Sequence, residues 1–383
     1  MSVLVIGDHE ERTVQQLERC VRAEEGATGV LCADGHVGYS QPVGGAVAYR
    51  EHISVSGVGY DIGCGNKAVR TDLMHADVAA ELPRIMDAIV ARISFGVGRH
   101  SRDPVDHPVL DAIRRADAPP QRALAELAAA QLGTVGAGNH YVDLFADEEG
   151  VLWVGVHFGS RGFGHRTATA YLERAGERRG GMDAPPTLLA ADSALGQEYI
   201  AAMELAGAYA YAGRDVVVDR VLDVLGATET ASVHNHHNFA WRETHDGEEW
   251  WVVRKGCTPA FPGQQGFVGS TMGETSVILE GADTPAARAA FYSTVHGAGR
   301  RMSRTQAKGK KGRPGLIDYN RVRADLRARG IELRGGAADE APDAYKRLDA
   351  VLAAHGDSIR VLHRLTPIGV AMAGPHIADP YRD

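Results

Sequence analysis

The chain has little that would staple it covalently or fix it in a membrane. Its four cysteines (Cys20, Cys32, Cys64 and Cys257) lie at irregular spacings among 383 residues, which is no disulfide framework and agrees with a reducing compartment. No apolar run approaches the roughly 20 residues that a spanning helix needs. The opening "MSVLVIGDHEERTV" breaks into charge too early for a signal peptide. A cytoplasmic location without a membrane partner is therefore expected. Positive charge is also short: 41 Lys and Arg face 49 Asp and Glu, a net charge of −8, so a nucleic acid would have to be met by a local basic patch. There is no Walker A sequence, and "GVGYDIG" lacks the strand-to-helix context of a dinucleotide fingerprint. No repeat of 20 to 50 residues is visible.

What the chain does have is apolar residue, 44% of the total, enough for a large core. The stretches 13–24, 120–133, about 197–226 and 342–356 read as helices. "GGAVAYR", "VLWVGVHFG", "EEWWVVRKG", "TSVILEG" and "IRVLHRLTPIGVAM" read as strands. Strand and helix interleave irregularly with no break in composition, which predicts one mixed α/β (α+β) domain over residues 1–383. The segment 305–315, "TQAKGKKGRPG", reads as a mobile basic loop. With Arg300, Arg301 and Arg304 it is the densest positive stretch and the expected contact for any polyanionic partner.

Chemistry-bearing residues gather in glycine-rich turns. "GYDIGCGNKAV" sets Asp61 three residues from Cys64 among Gly59, Gly63 and Gly65, a hard oxygen and a soft thiolate on a backbone able to fold tightly around an ion. Taken alone, the stretch reads more readily as a tight turn with a packed thiol. The 17 histidines weigh against that. His36, His140, His157, His165, the group His234, His236 and His237, and His296 all sit in glycine-rich stretches or beside asparagine. One Asp, one Cys and three His suit a borderline metal such as Mn²⁺, Zn²⁺ or Fe²⁺. Asp61, Cys64, His140, His157 and His237 exceed one closed tetrahedral site. Two ions bridged by the thiolate would use all five, an arrangement typical of phosphoryl transfer and hydrolysis. The loops "GSRG", "VGSTMG" and "HGAGR" have backbone that can approach an oxyanion. Arg161, Arg254 and Arg300 could grip phosphate.

Together, "GVGYDIGCG", "GAGNHYVDL", "HFGSRGFGH", "HHNFAW", "RKGCTPAFPGQQG", "GSTMG", "HGAGRRMSRTQAK" and "DEAPDAYKRLD" resemble the RtcB-type RNA ligases, or tRNA-splicing ligases. The resemblance runs from about residue 34 to residue 371. It implies an α/β fold with β-sheets around a central metal cleft. It also implies a GTP-dependent ligase that uses two Mn²⁺ to join an RNA 3′-phosphate or 2′,3′-cyclic phosphate end to a 5′-hydroxyl end, in RNA splicing or repair. By motif, Asp61, Cys64, His140, His157 and His237 would hold metal, with Cys64 bridging, and His296 would take GMP from GTP. Asn139, His140, Asp143, His237, Asn238, Gly269, Ser270, Thr271, Met272, Ser276, His296, Gly297, Ala298 and Gly299 would line the nucleotide.

Two departures bear on GTP preference. Asp143 stands where the family has a glutamate that reads the guanine edge, and Ala373 stands where a lysine precedes the terminal glycine, with a tail (375–383) beyond. The competing reading is a metal-dependent phosphoesterase or nuclease on the same ligands; an RNA-binding chain without catalysis is the third. A histidine nucleophile separates them, since hydrolysis by a metal-activated water needs none. The residues name no activating protein.

Overall fold

Short β-branched and aromatic runs between glycine turns pair into two main sheets, in a computed structural model that describes residues 2–176, 181–310 and 312–375. Lys311 of the basic segment and residues 376–383 of the tail lie outside the described residues. One sheet has five strands in the order Ser2–Val5, Thr28–His36, Val43–Tyr49, Glu248–Lys255 and Asn238–His245. The other runs Gln265–Val268, Ser276–Gly281, Ile359–Met372, Tyr141–Ala146, Val151–Phe158, Gly65–Met74 and Glu229–His236, with Glu332–Arg334 added beside Ile359–Met372. The mixed α/β class expected from the sequence is the one that forms.

The larger sheet curls until its edges nearly meet. Phe267 N–H donates to Asn235 Oδ1 at 3.1 Å, and Asn66 Nδ2 donates to the Phe267 carbonyl at 2.8 Å, so amide side chains bridge the gap between the first and last strands. Alternation along each strand then separates two apolar layers. Ala68, Phe145, Trp153, Val233, Phe267, Ile278 and Leu365 fill the inside. Val69, Leu144, Val154 and Val156 point outward against Val217, Val218 and Val221. Those valines belong to the helix Ala194–Leu225, whose first turn is capped by Ser193 accepting from Gly196 N and whose end is the left-handed Gly226.

Tertiary contacts redraw two of the expected helices. The stretch 120–133 divides into Pro119–Arg122 and Ala125–Gln131, its first turn anchored by buried Gln121, which donates to the Ala202 carbonyl at 2.9 Å. The stretch 342–356 opens as a 3₁₀ turn, Pro342–Ala344, and becomes α-helical only over Leu348–Ala354. Between them Tyr345 is extended and bridges to Arg300, its ring hydroxyl accepting from Arg300 Nη2 at 2.7 Å. The Lys/Gly-rich segment is likewise more ordered than a loop: Ser303 caps a short helix, Arg304–Lys308, and Gly309–Lys310 pairs with Arg313–Pro314.

Phe267 is fully buried edge-on to Phe145, so Phe267→Ala should cost about 3–5 kcal/mol in urea unfolding. Leu316→Ala, at a side chain 74% exposed, should stay within about 0.5 kcal/mol of the parent.

Candidate active site

Ladder register delivers the candidate metal ligands. Gly65 pairs with Phe158 on one side and His236 on the other, and Tyr141 pairs with His157. Cys64, His140, His157 and His237 therefore leave neighbouring strand ends on the same rim of the curled sheet, with Asp61 one turn before Cys64. Cys64 Sγ lies 3.6 Å from His140 Nε2 and 3.4 Å from His157 Nε2, and His140 Nε2 lies 3.1 Å from Asp61 Oδ2. Two groups of donors result, Cys64–His157–His237 and Asp61–Cys64–His140, each with its atoms within 4.8 Å of one another. Cys64 belongs to both.

The chemistry of these groups suits a cation. His237 Nδ1 is buried without a hydrogen-bond partner, an arrangement that costs about 1–3 kcal/mol unless something accepts its lone pair. Burial pushes His157 and His237 well below the usual imidazole value, keeping both neutral and able to ligate. Burial raises Asp61, but hydrogen bonding and charge from His140 and Arg161 outweigh it and hold the carboxylate ionised. Burial and the Asp61 carboxylate push the Cys64 thiol well up; a bound cation reverses that by favouring thiolate. Gly159 leaves the room required, since a Cβ there would stand 2.2 Å from Asp61 Oδ1.

A second layer fixes the ligands. Arg214, fully buried on the long helix, donates to the carbonyls of Gly63 (2.9 Å) and Phe158 (2.6 Å) and to His236 Nδ1 (3.0 Å). Each of these residues is the chain neighbour of a candidate ligand: Cys64, His157 and His237. One rigid guanidinium thus ties three ligand-bearing segments together. Its Nε also donates to His234 Nε2 at 2.8 Å, so His234 and His236 face Arg214 and stand outside both donor groups.

His296 follows the short strand Ser293–Val295, which pairs with Cys257–Pro259, and meets Asp34 of the five-stranded sheet. Its Nδ1 lies 2.7 Å from Asp34 Oδ2, and the same oxygen accepts from the backbone N–H of His296 (3.0 Å) and Gly297 (3.3 Å). Asp34 is fully buried; burial raises its pKa, but the charge and hydrogen bonds of His296 hold the carboxyl below its ordinary value. With Nδ1 engaged, Nε2 is left for the cavity that His296 lines. The ring stands 4.9 Å from that of His237. Gly256 beneath it adopts φ +60, and a Cβ there would press on the His296 ring at 3.0 Å. Sequence reasoning missed Asp34. The signal available was "ADGHVG", in which attention went to His36.

A cavity of about 780 Å³ opens over this centre, within the range of small-ligand sites. Asn139, His140, Asp143, His237, Asn238, Gly269, Ser270, Thr271, Met272, His296, Gly297, Ala298 and Gly299 all line it. Ser276 does not; its Oγ accepts from Ser270 N at 2.9 Å and supports the loop from below. Asp143 Oδ1, Tyr141 Oη, Ser270 Oγ and Thr271 Oγ1 are buried without hydrogen-bond partners, the state expected of groups that await a polar ligand. Burial pushes the Asp143 carboxyl well up. Where the resemblance would place lysine, Ala373 accepts from Gly336 N at 3.0 Å.

The expected basic contacts are largely neutralised inside the protein. Arg254 is fully buried and pairs with Glu243, so it is a core ion pair and grips no phosphate. Arg300, Arg304 and Lys308 converge on Asp339 and Glu340, two carboxylates that are themselves about 5% exposed. The acidic pair of "DEAPDAYKRLD" offsets the positive segment that follows His296. Arg161, by contrast, stands at the metal-ligand shell, donating to His140 Nδ1 at 3.0 Å.

Comparison with known proteins bears on this centre. The family model described as tRNA-splicing ligase RtcB matches residues 16–119 and 110–373. The RNA-splicing ligase RtcB of Escherichia coli is 31% identical over 378 residues, covering 88% of this chain and 87% of that protein. The tRNA-splicing ligase RtcB of Thermococcus kodakarensis is 32% identical, covering 89% and 87%. The RNA-splicing ligase RtcB of Mycobacterium tuberculosis is also 32% identical, covering 88% and 94%.

Because Cys64 belongs to both donor groups, Cys64→Ala should lower affinity for a divalent transition metal by about 10-fold or more. Cys20→Ala and Cys257→Ala, at buried thiols outside both groups, should retain the parent's metal content by elemental analysis. Full metal loading of Cys64→Ala would remove the thiolate from the centre.

Proposed function

The chain belongs to the tRNA-splicing ligase RtcB family, and we propose that it is a GTP- and Mn²⁺-dependent RNA ligase. It joins RNA 3′-phosphate or 2′,3′-cyclic phosphate ends to 5′-hydroxyl ends through a guanylylated His296. The observation that carries this reading is the pairing of His296 with Asp34 beside the two donor groups. A hydrolase working through activated water has no need of an oriented imidazole, whereas covalent nucleotide transfer does.

Asp61, Cys64, His140, His157 and His237 would hold two Mn²⁺, which when bound offset negative charge on phosphoryl oxygens. His296 Nε2 forms a bond to the α-phosphorus of GTP, the bond from that phosphorus to the bridging oxygen breaks, and pyrophosphate leaves. The proton on Nδ1 stays on the ring and is donated to Asp34, which keeps the Nε2 lone pair aimed at the nucleotide. GMP then passes to the RNA 3′-phosphate, and the 5′-hydroxyl displaces it. Asn139 and the unpartnered hydroxyls of Ser270 and Thr271 supply hydrogen bonds to the nucleotide, and Asp143 meets the base edge. No helix among the described residues is long and apolar enough to cross a membrane, and four free cysteines suit a cytoplasmic enzyme.

Intact mass after incubation with Mn²⁺ and each nucleoside triphosphate tests the reading. The parent should gain one GMP in an acid-labile, base-stable linkage; His296→Ala should gain none while still binding Mn²⁺. Asp34→Asn should slow labelling by about 100-fold or more, as when the carboxylate that orients a reactive histidine is lost. With a short Asp143 and no neighbouring lysine, rejection of ATP should fall well short of the ~10⁴-fold of a fully paired base-edge site. Labelling of His296→Ala at the parent level would defeat the mechanism; strict GTP selectivity would defeat only the argument about the base pocket.

A further inference from the structure

Two thiols and an imidazole are buried in an otherwise apolar cluster behind the nucleophile candidate. Cys32 and Cys257 are fully buried with Val30, Ala46, Val268 and Val295, and the Cys257 thiol donates to Cys32 Sγ at 3.8 Å. His355 is buried beside them, its Nε2 accepting from Ala33 N at 3.3 Å. All three residues stand outside both donor groups and outside the lining of the cavity over the centre. The hydrogen bond from Cys257 outweighs burial and, with His355 adding to it, holds the Cys32 thiol below its ordinary value. Such a thiol has more thiolate, the form that reacts with oxidants. Each sulfur also sits close to what holds His296. Cys32 precedes Asp34 by two residues on the strand Thr28–His36. Cys257 follows Gly256, over which the His296 ring lies, and pairs with Val295, the residue before His296. Its N–H donates to the His237 carbonyl at 3.1 Å.

We infer that Cys32 and Cys257 are an oxidation site: a hydroperoxide joins them in a reversible disulfide that switches off the chemistry of His296. The effect on His296 rests on the guanylylation reading above, whereas the sulfur chemistry stands without it. The Cys32 sulfur forms a bond to one peroxide oxygen, the O–O bond breaks, and the other oxygen leaves as water with the proton that Cys32 gave up. The Cys257 sulfur then forms a bond to the Cys32 sulfur, the S–O bond of the sulfenic acid breaks, and the hydroxyl leaves with the Cys257 proton as a second water. The two thiols together lose two electrons, and the peroxide gains them. Buried thiols react during local opening, and Gly35 and Gly256, near the two sulfurs in sequence, line the open cavity from which a peroxide enters. Bond formation draws the sulfurs from 3.8 Å to about 2.05 Å. The Asp34–His296 contact joins the same two segments, so that contraction displaces the carboxylate from the ring it orients. Intracellular disulfides are typically transient and redox-sensing, in keeping with four cysteines that are free in the reduced protein.

The test treats the full, Mn²⁺-loaded chain with graded hydrogen peroxide, measures GMP uptake, and maps the thiols by alkylation of the unfolded protein and peptide mass. In the parent, the peptides carrying Cys32 and Cys257 should appear as one cross-linked pair, while Cys20 and Cys64 are alkylated. GMP uptake should fall by about 100-fold, the cost of misplacing a reacting group on the ångström scale. Dithiothreitol should restore it, since a thiol reverses a disulfide but not a sulfinic acid. Cys32→Ala removes the attacking thiolate; Cys257→Ala removes the second sulfur and the hydrogen bond that favours the thiolate. Both variants should keep GMP uptake within about 2-fold of their untreated level, because neither has a thiol pair to join. Alkylated Cys32 and Cys257 in a parent that has lost uptake, or equal loss in the two variants, would overturn the switch and place the damage at Cys64. A cross-linked parent with unchanged uptake would overturn it as well. A cross-link in a protein that takes up no GMP before treatment would keep the disulfide and overturn the guanylylation reading instead.

Discussion

Gly65 pairs with Phe158 on one side and with His236 on the other, and the position of every metal-ligand candidate depends on that register. A slip of one residue would turn the whole strand over, carrying Ala68 from the inside to the outside and taking Cys64 away from His157. Two features resist the slip. Alternation packs Phe145, Trp153 and Phe267 inside the curled sheet and Val154 and Val156 beneath the long helix. Arg214 reaches from that helix to the carbonyls of Gly63 and Phe158 and to His236. A buried guanidinium is tolerated only when its donors are satisfied, so its hydrogen bonds and the register require each other.

The five-stranded sheet holds the nucleophile candidate at the same point through Asp34. The strand Glu229–His236 of one sheet ends just before His237, and Asn238 begins a strand of the other, so a single peptide bond joins the candidate ligand His237 to the sheet that carries Asp34. Asn238 Oδ1 then accepts from Gly256 N at 2.7 Å, at the glycine over which the His296 ring lies. Pre-organisation of this kind lowers the cost of reaching a reactive geometry. It also explains why the site needs so large a fold: its parts come from residues 34, 61–64, 139–143, 157, 237 and 296.

Charge is arranged by pairing and not by totals. The basic segment after His296 is matched by Asp339 and Glu340, while Arg99, Arg161, Arg166 and Lys255 gather around Asp61 in a cavity with no other carboxylate in its lining. An acidic protein can in this way present a field of opposite sign where a polyanion must enter, since low-dielectric walls focus the local charges and solvent screens the distant ones.

Much of the chemistry was legible in the chain, because glycine turns with adjacent Asp, Cys, His and Asn have few structural uses, and because long β-branched runs such as Val151–Phe158 have little freedom but to pair. The mixed α/β class and the clustering of Asp61, Cys64, His140, His157 and His237 follow from residues whose local preferences agree with their final setting. Other features depended on partners far away in sequence. Asp34 is an ordinary strand aspartate until His296, 262 residues on, is placed against it. Arg254 and Arg300 looked like phosphate ligands and became internal ion pairs, because Glu243 and Glu340 arrive beside them only on folding. Tyr345 leaves an otherwise helical stretch because its hydroxyl finds Arg300. Local pattern determines which backbone shape is cheap and which side chains are reactive; which buried charge meets which is a long-range energy that exists only once the tertiary structure has formed.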